Sequence, residues 1–172
     1  MLRLSHYTNM LWKVALAGAC AAMVVLWPYW RVALSTETYY QGRMTGGGSC
    51  VTAAGRVTHG FELHCDATVE PNNLEINFSG NRFHLESLDS AFCLDDPDID
   101  QEHPVAPFDT YIGSGTGRYN GVSGYAIDFT FTDAGEPGKN DTVDYLIIAP
   151  NGSVVLDVNE CPLTSGNHQA HR

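Results

Sequence analysis

Apolar residues recur at every second position in short bursts along most of this chain. Val57, His59, Phe61, Leu63 and Cys65 share one phase, as do Leu74, Ile76 and Phe78, then Phe83 and Leu85. The rhythm returns in Tyr125, Ile127, Phe129 and Phe131, in Val143, Tyr145 and Ile147, and in Val154, Leu156 and Val158. A period of two marks a strand with one face buried. Met44 to Val51 reads as a glycine-loaded strand ahead of these, and Ser79-Gly80-Asn81 and Pro150-Asn151-Gly152 supply turns. No amphipathic helical pattern follows residue 35. The pattern predicts an all-β domain of about eight or nine antiparallel strands, either a β-sandwich or a closed β-barrel.

The stretch from Gly113 to Ile148 reads as three strands about two glycine-rich turns, with TDAGEPGKNDT in its middle. Pro137 presets the backbone for the second position of a type II turn over Glu136–Lys139, and Gly138 permits the positive φ needed at the third. Asp133, Asn140 and Asp141 are expected to bond nearby backbone amides as the chain enters and leaves the turn. The structural turn set is therefore Asp133, Gly135, Pro137, Gly138 and Asp141. An oxygen-rich cation site built from Asp133, Glu136, Asn140 and Asp141 is the competing reading. Turn chemistry already accounts for every residue there.

The first 35 residues follow another pattern. Arg3 and Lys13 precede an apolar run from Val14 to Trp30, broken near its end by Pro28. This is a secretory signal or a helical signal anchor. Ala33-Leu34-Ser35 fits a small-x-small cleavage site, which would start the mature chain at Thr36. Against cleavage, the run approaches the length of a short membrane span, and Trp27, Tyr29 and Trp30 resemble an interfacial aromatic belt. An uncleaved leader would touch the membrane through residues 14–30 alone. The lipoprotein-like run ending at Cys20 has its leucine one position too early. The organisation is thus a leader over 1–35, a polar linker over 36–43 and an all-β domain over 44–172, placed outside the cytoplasm, secreted or anchored.

Charge narrows the partners. All twenty acidic residues lie after residue 36, against six Lys and Arg, a net of −14 beyond the leader. Such a surface repels nucleic acid and anionic headgroups.

Residues 94–109, LDDPDIDQEHPVAPFD, interrupt the strand rhythm with three prolines and six acidic residues. Long loops are where sites concentrate. Asp96, Asp98 and Asp100 occupy the first, third and fifth places of a calcium-loop pattern. Gln101 stands where glycine is expected, and Pro107 where a bidentate glutamate is. Calcium is the one cofactor the sequence raises, at a site lacking two of its usual parts. Outside the leader, His59 is in inward phase, His64 and His84 in outward phase, and His168 and His171 near the terminus; none is paired at metal-ligand spacing. Gly113-x-Gly115-x-Gly117 has no following helix to make a dinucleotide site, and Gly121-Val122-Ser123-Gly124 is not a nucleophile elbow. The three Asn-x-Ser/Thr sequons at Asn77, Asn140 and Asn151 read as turn residues. No catalytic residue is assigned. Cys50, Cys65, Cys93 and Cys161 are an even set that, in an exported chain, predicts two disulfides with three possible connectivities.

Several motifs fall in one order: Thr45-Gly46-Gly47-Gly48, Gly60-Phe61, Phe83-His84-Leu85, Gly113 through Gly121, Asp133-Ala134-Gly135-Glu136-Pro137-Gly138 with Asp141, and Gly166-Asn167-His168-Gln169-Ala170-His171. As a set they resemble the post-choice-of-anchor module, a small all-β domain near the C-terminus of bacterial surface proteins. The resemblance covers Met44 to His171, though here the module stands alone behind a leader. It implies a β domain of unknown activity and carries no catalytic residues. It also favours Cys65–Cys93, cysteines at those places being typical of the module. Cys50–Cys161 would then join the first strand to the approach of the last, with the hairpin pairing Cys50–Cys65 as competitor. Two functions follow as expectations: a non-catalytic extracytoplasmic module, structural or adhesive, or a small-ligand barrel or hydrolase using the 94–109 loop.

Overall fold

The computed structural model describes residues 39–99 and 106–172. The leader, the start of the linker and Asp100 lie outside the described residues. Nine strands follow in order: β1 (Arg43–Thr52), β2 (Gly55–His64), β3 (Asn73–Phe78), β4 (Asn81–Leu94), β5 (Thr110–Tyr119), β6 (Val122–Thr132), β7 (Thr142–Ile148), β8 (Val154–Pro162) and β9 (Ser165–His171). All are antiparallel and share one hydrogen-bonded sheet.

The order across the sheet is β8-β7-β6-β5-β4-β3-β2-β1-β9. β8 and β9 therefore stand at opposite ends of the ladder, yet only Leu163 and Thr164 separate them in the chain. The sheet must curl far enough to bring the end of β8 beside the start of β9, and it forms a half-barrel. Thr164 N–H donates to the Ser49 carbonyl at 2.7 Å, and the Cys50–Cys161 disulfide ties β1 to β8. The second disulfide, Cys65–Cys93, joins the end of β2 to β4.

The period-two pattern predicted most of the side chains that face inward; Val154, read in phase with Leu156 and Val158, is exposed beyond a register shift at the start of β8. Val57, Phe61, Leu63, Leu74, Ile76, Phe83 and Leu85 are buried from one side of the curl, and Ile127, Phe129, Phe131, Val143, Tyr145, Ile147, Leu156 and Val158 from the other. β5 contributes one large core side chain, the fully buried Tyr111, and is otherwise built of small residues facing inward. A Cβ at Gly113 would stand 2.4 Å from the Phe129 ring, and one at Gly117 would stand 2.5 Å from the Phe83 ring. Gly113 and Gly117 are seats for aromatic rings from the strands on either side of β5.

Two strands exceed what the pattern showed. β4 continues past Leu85 to Leu94, with register shifts after Leu85 and after Leu88 that break its alternation. β9, SGNHQAH, buries only His168 and Ala170. Two linker residues are fastened to β4: Tyr40 N–H donates to the Cys93 carbonyl at 2.9 Å, and the Tyr39 ring packs on Phe92.

Candidate functional site

Residues 133–141 connect β6 to β7 and lie along the outer edge of β9, where a tenth strand would otherwise pair. An edge strand presents unsatisfied N–H groups. Here carboxylates take them. Asp133 Oδ2 accepts from Ala170 N at 2.8 Å, and Asp141 Oδ2 accepts from His168 N at 2.7 Å. The second oxygen of each holds the loop itself: Asp133 Oδ1 accepts from Gly135 N at 3.1 Å and Asp141 Oδ1 from Ala134 N at 2.9 Å. Glu136 Oε1 accepts from the side-chain amides of Asn167 and Gln169. Burial raises the Asp141 carboxyl to about 6, against the pull of its two backbone N–H partners, and the nearby Asp133 and Glu136 push the same way as burial.

The turn geometry corrects the expected type II turn. The Glu136–Pro137 peptide is cis, and Gly138 N–H closes on the Gly135 carbonyl at 3.0 Å, so proline occupies the third turn position. That is the type VI arrangement. Gly138 lies just after it, at a φ of 75°. It is buried against β9, where an added Cβ would come within 2.4 Å of Asn167 Oδ1 and 2.7 Å of the Gly166 carbonyl.

Beneath this loop two histidines meet. His168 Nδ1 stands 2.8 Å from the Thr132 carbonyl, and His168 Nε2 stands 2.8 Å from His59 Nε2. A carbonyl only accepts, so Nδ1 of His168 carries the proton and its Nε2 is left as an acceptor. His59 must then donate from Nε2, which leaves its buried Nδ1 as a lone pair without a hydrogen-bond partner. Burial, with the neighbouring His168, lowers His59 to about 3. Burial lowers His168 to about 4, the Thr132 carbonyl working against it. Both rings are neutral at pH 7 and sit among aromatics. Phe61 and Phe131 stack with centroids 4.0 Å apart, and Tyr145 lies beside them, its hydroxyl also without a partner. Burial raises that phenol well above its ordinary value, and the nearby Asp144 adds to the shift.

The structure thus brings Asp133, Gly138 and Asp141 against β9, with Gly135 and Pro137 in the turn between them. It does not gather the described acidic residues of the long loop in the same way. Asp95 and Asp98 are exposed, and Asp96 Oδ1 accepts from the Asp98 backbone at 3.0 Å. Asp100 lies outside the described residues. Among those residues, no group of three or more His, Cys, Asp or Glu side chains is placed to hold a metal ion. Asp109 anchors the loop from a fully buried position, its Oδ1 accepting from Asp96 N and the Thr110 hydroxyl; burial raises its carboxyl. Ser123 donates to Glu86 and, among the described residues, is not hydrogen-bonded to a histidine. The His59–His168 pair was not foreseen. His59 was readable as inward-facing, but nothing local shows that a residue 109 positions away would meet it.

The chain matches no family model, no curated protein and no solved structure.

Proposed function

We propose that this chain is a non-catalytic β module that works outside the cytoplasm in a structural or interaction role. In this reading the half-barrel is completed into a closed barrel by the 133–141 loop. One observation carries it: the two carboxylates that the loop turns inward, and the histidine beneath them, are engaged in fastening that loop to β9. Asp133, Asp141 and His168 each bond across the gap. Groups committed to holding a seam are not poised to exchange protons with a substrate.

Two disulfides fit an oxidising compartment. With the cationic, then apolar, leader they support export, either released at Thr36 or anchored through residues 14–30. The resemblance to the post-choice-of-anchor module points the same way. Cell fractionation with intact-mass measurement tests the proposal. A chain starting at Thr36 outside the cytoplasm, or a full-length one in the membrane, supports it. A full-length chain free in the cytosol, with four reduced thiols beyond the leader, overturns it.

A further inference from the structure

The outer face of the sheet carries a concavity unrelated to the seam. Arg82 and His84 lie on β4 and Arg118 on β5, with His84 and Arg118 direct cross-strand partners. Together with Asn120 and Gly121 of the β5–β6 turn they line a cavity of about 440 Å³. That falls within the usual range for small-molecule sites. The domain beyond the leader has only six Lys and Arg, and two of them are here.

The charged groups are arranged in a particular way. The two carboxylates that pair with the arginines, Glu75 and Glu86, are not among the lining residues. Glu75 takes Arg82 through Nη2, and Glu86 lies 3.5 Å from Arg118 Nε while also accepting from Ser123. Each acid engages one nitrogen of its guanidinium. The terminal nitrogens of Arg118, and Nη1 and Nε of Arg82, hold no protein hydrogen bond among the described residues. Asn120 is fixed by its own bonds, its Oδ1 accepting from Arg82 N at 3.0 Å and its Nδ2 donating to Asn81. The turn that closes one end of the cavity is therefore tied to the start of β4. Two guanidiniums and an imidazole line the cavity, steadied from the flanks by carboxylates.

We infer that this cavity binds a compact oxyanion, the carboxylate or phosphate group of a small molecule, through Arg82 and Arg118. A guanidinium fork matches two coplanar oxygens, and a charge-assisted pair is about twice as strong as a neutral one. The surrounding negative surface would keep nonspecific anions away, so occupancy would depend on the terminal fork of Arg118 and the remaining N–H groups of Arg82 and not on a general basic field. The inference is independent of how the module is exported and of whether the loop closes a barrel.

Titration of the folded domain with glucuronate, inorganic phosphate and glucose, followed by amide and arginine Nε NMR signals, tests it. Glucuronate or phosphate is expected to give saturable shifts at Asn120, Gly121 and both arginines, and glucose none. Arg118→Gln and Arg82→Gln should each weaken binding about tenfold or more, whereas Arg43→Gln, at the far end of β1, should leave it unchanged. Both pocket arginines are largely exposed, so these variants keep the fold. Absence of saturation with both anions, equal shifts with glucose, or equal weakening in Arg43→Gln would each overturn the inference.

Discussion

Two acidic loops leave the same sheet, and they do opposite things with their carboxylates. In the β6–β7 loop, Asp133 and Asp141 each bridge the loop to a backbone N–H of β9. In the β4–β5 loop, Asp96 bonds within its own turn, and Asp95 and Asp98 face water. By composition the second loop is the more acidic and the better candidate for a site. The difference lies in what each loop faces. The first runs beside an open strand edge with donors to spare; the second is held at its far end by Asp109, alone among the loop's acids in the described residues. An acidic loop takes its role from the unsatisfied donors within reach, which a residue count does not show.

Glycine gives the largest test of that contrast. Gly138→Val places a branched side chain at positive φ and against the backbone of Gly166 and Asn167. Strain and overlap together should cost about 3–5 kcal/mol. Gly135, in the same turn, also has positive φ but no atom within 4 Å of an added Cβ. Gly135→Ala should therefore cost only the conformational part, about 1–2 kcal/mol. Denaturant melts of the pair separate docking from turn geometry; equal losses would mean the loop does not bear on β9.

Next in size is the carboxylate itself. Asp141→Ala strands the buried N–H of His168 and the half-buried N–H of Ala134, and should cost about 2–4 kcal/mol. Asp98→Ala, on the exposed loop, should stay within about 0.5 kcal/mol of the parent. If both variants melt alike, the distinction between the two loops fails.

How much of this was legible depends on the range of the signal. The inward faces of β2, β3, β6, β7 and β8 follow from alternation, a property of neighbours two apart. Gly138 was readable as a positive-φ position because proline and glycine punctuate turns locally, although the turn is type VI and not type II. β9 was hidden, because SGNHQAH buries a histidine and an alanine and offers no apolar alternation. The second half of β4 was hidden by its two register shifts, which move its side chains out of phase. The edge capping could not be read at all. Asp133 and Ala170 are 37 residues apart, and their contact exists only once the sheet has curled.

The seam should also respond to pH, through groups of opposite sign. His59 and His168 are lowered to about 3 and about 4, so the unfolded chain binds protons there first, and stability is lost as pH falls below about 6.5. Asp141 is raised to about 6, so its protonated form favours the native state, and that contribution is lost as pH rises through 6. Between about pH 4 and 6 the two histidines oppose Asp141, and Asp109, also raised by burial, adds to the opposition at the acid end. Stability should climb with pH at a slope of at most about one proton, roughly 1.4 kcal/mol per unit. Asp141→Asn removes one opposing group and should steepen the climb toward two protons. Melts across this range check both slopes, and a flat profile in the parent would mean the histidines are not neutral in the fold.

The smallest expected effect concerns the other loop. Asp95, Asp96 and Asp98 stand close in sequence, and like charges that repel invite a divalent cation. Their side chains are not gathered as ligands, however: Asp96 is committed to the Asp98 backbone, and the positions that would complete a calcium loop hold Gln101 and Pro107. Without the glycine turn and the bidentate acid, affinity belongs in the weak range of about 10⁻⁴–10⁻³ M or below it. One millimolar calcium, near the upper end of that range, would then stabilise by at most about 1–1.5 kcal/mol, and by less for any weaker site. The expectation is a barely shifted melting temperature with calcium, equal to that with the same concentration of magnesium, and unchanged in Asp96→Asn. A calcium-specific rise abolished by Asp96→Asn would show that the exposed loop, not the docked one, holds the ion site, and would reverse the contrast between them.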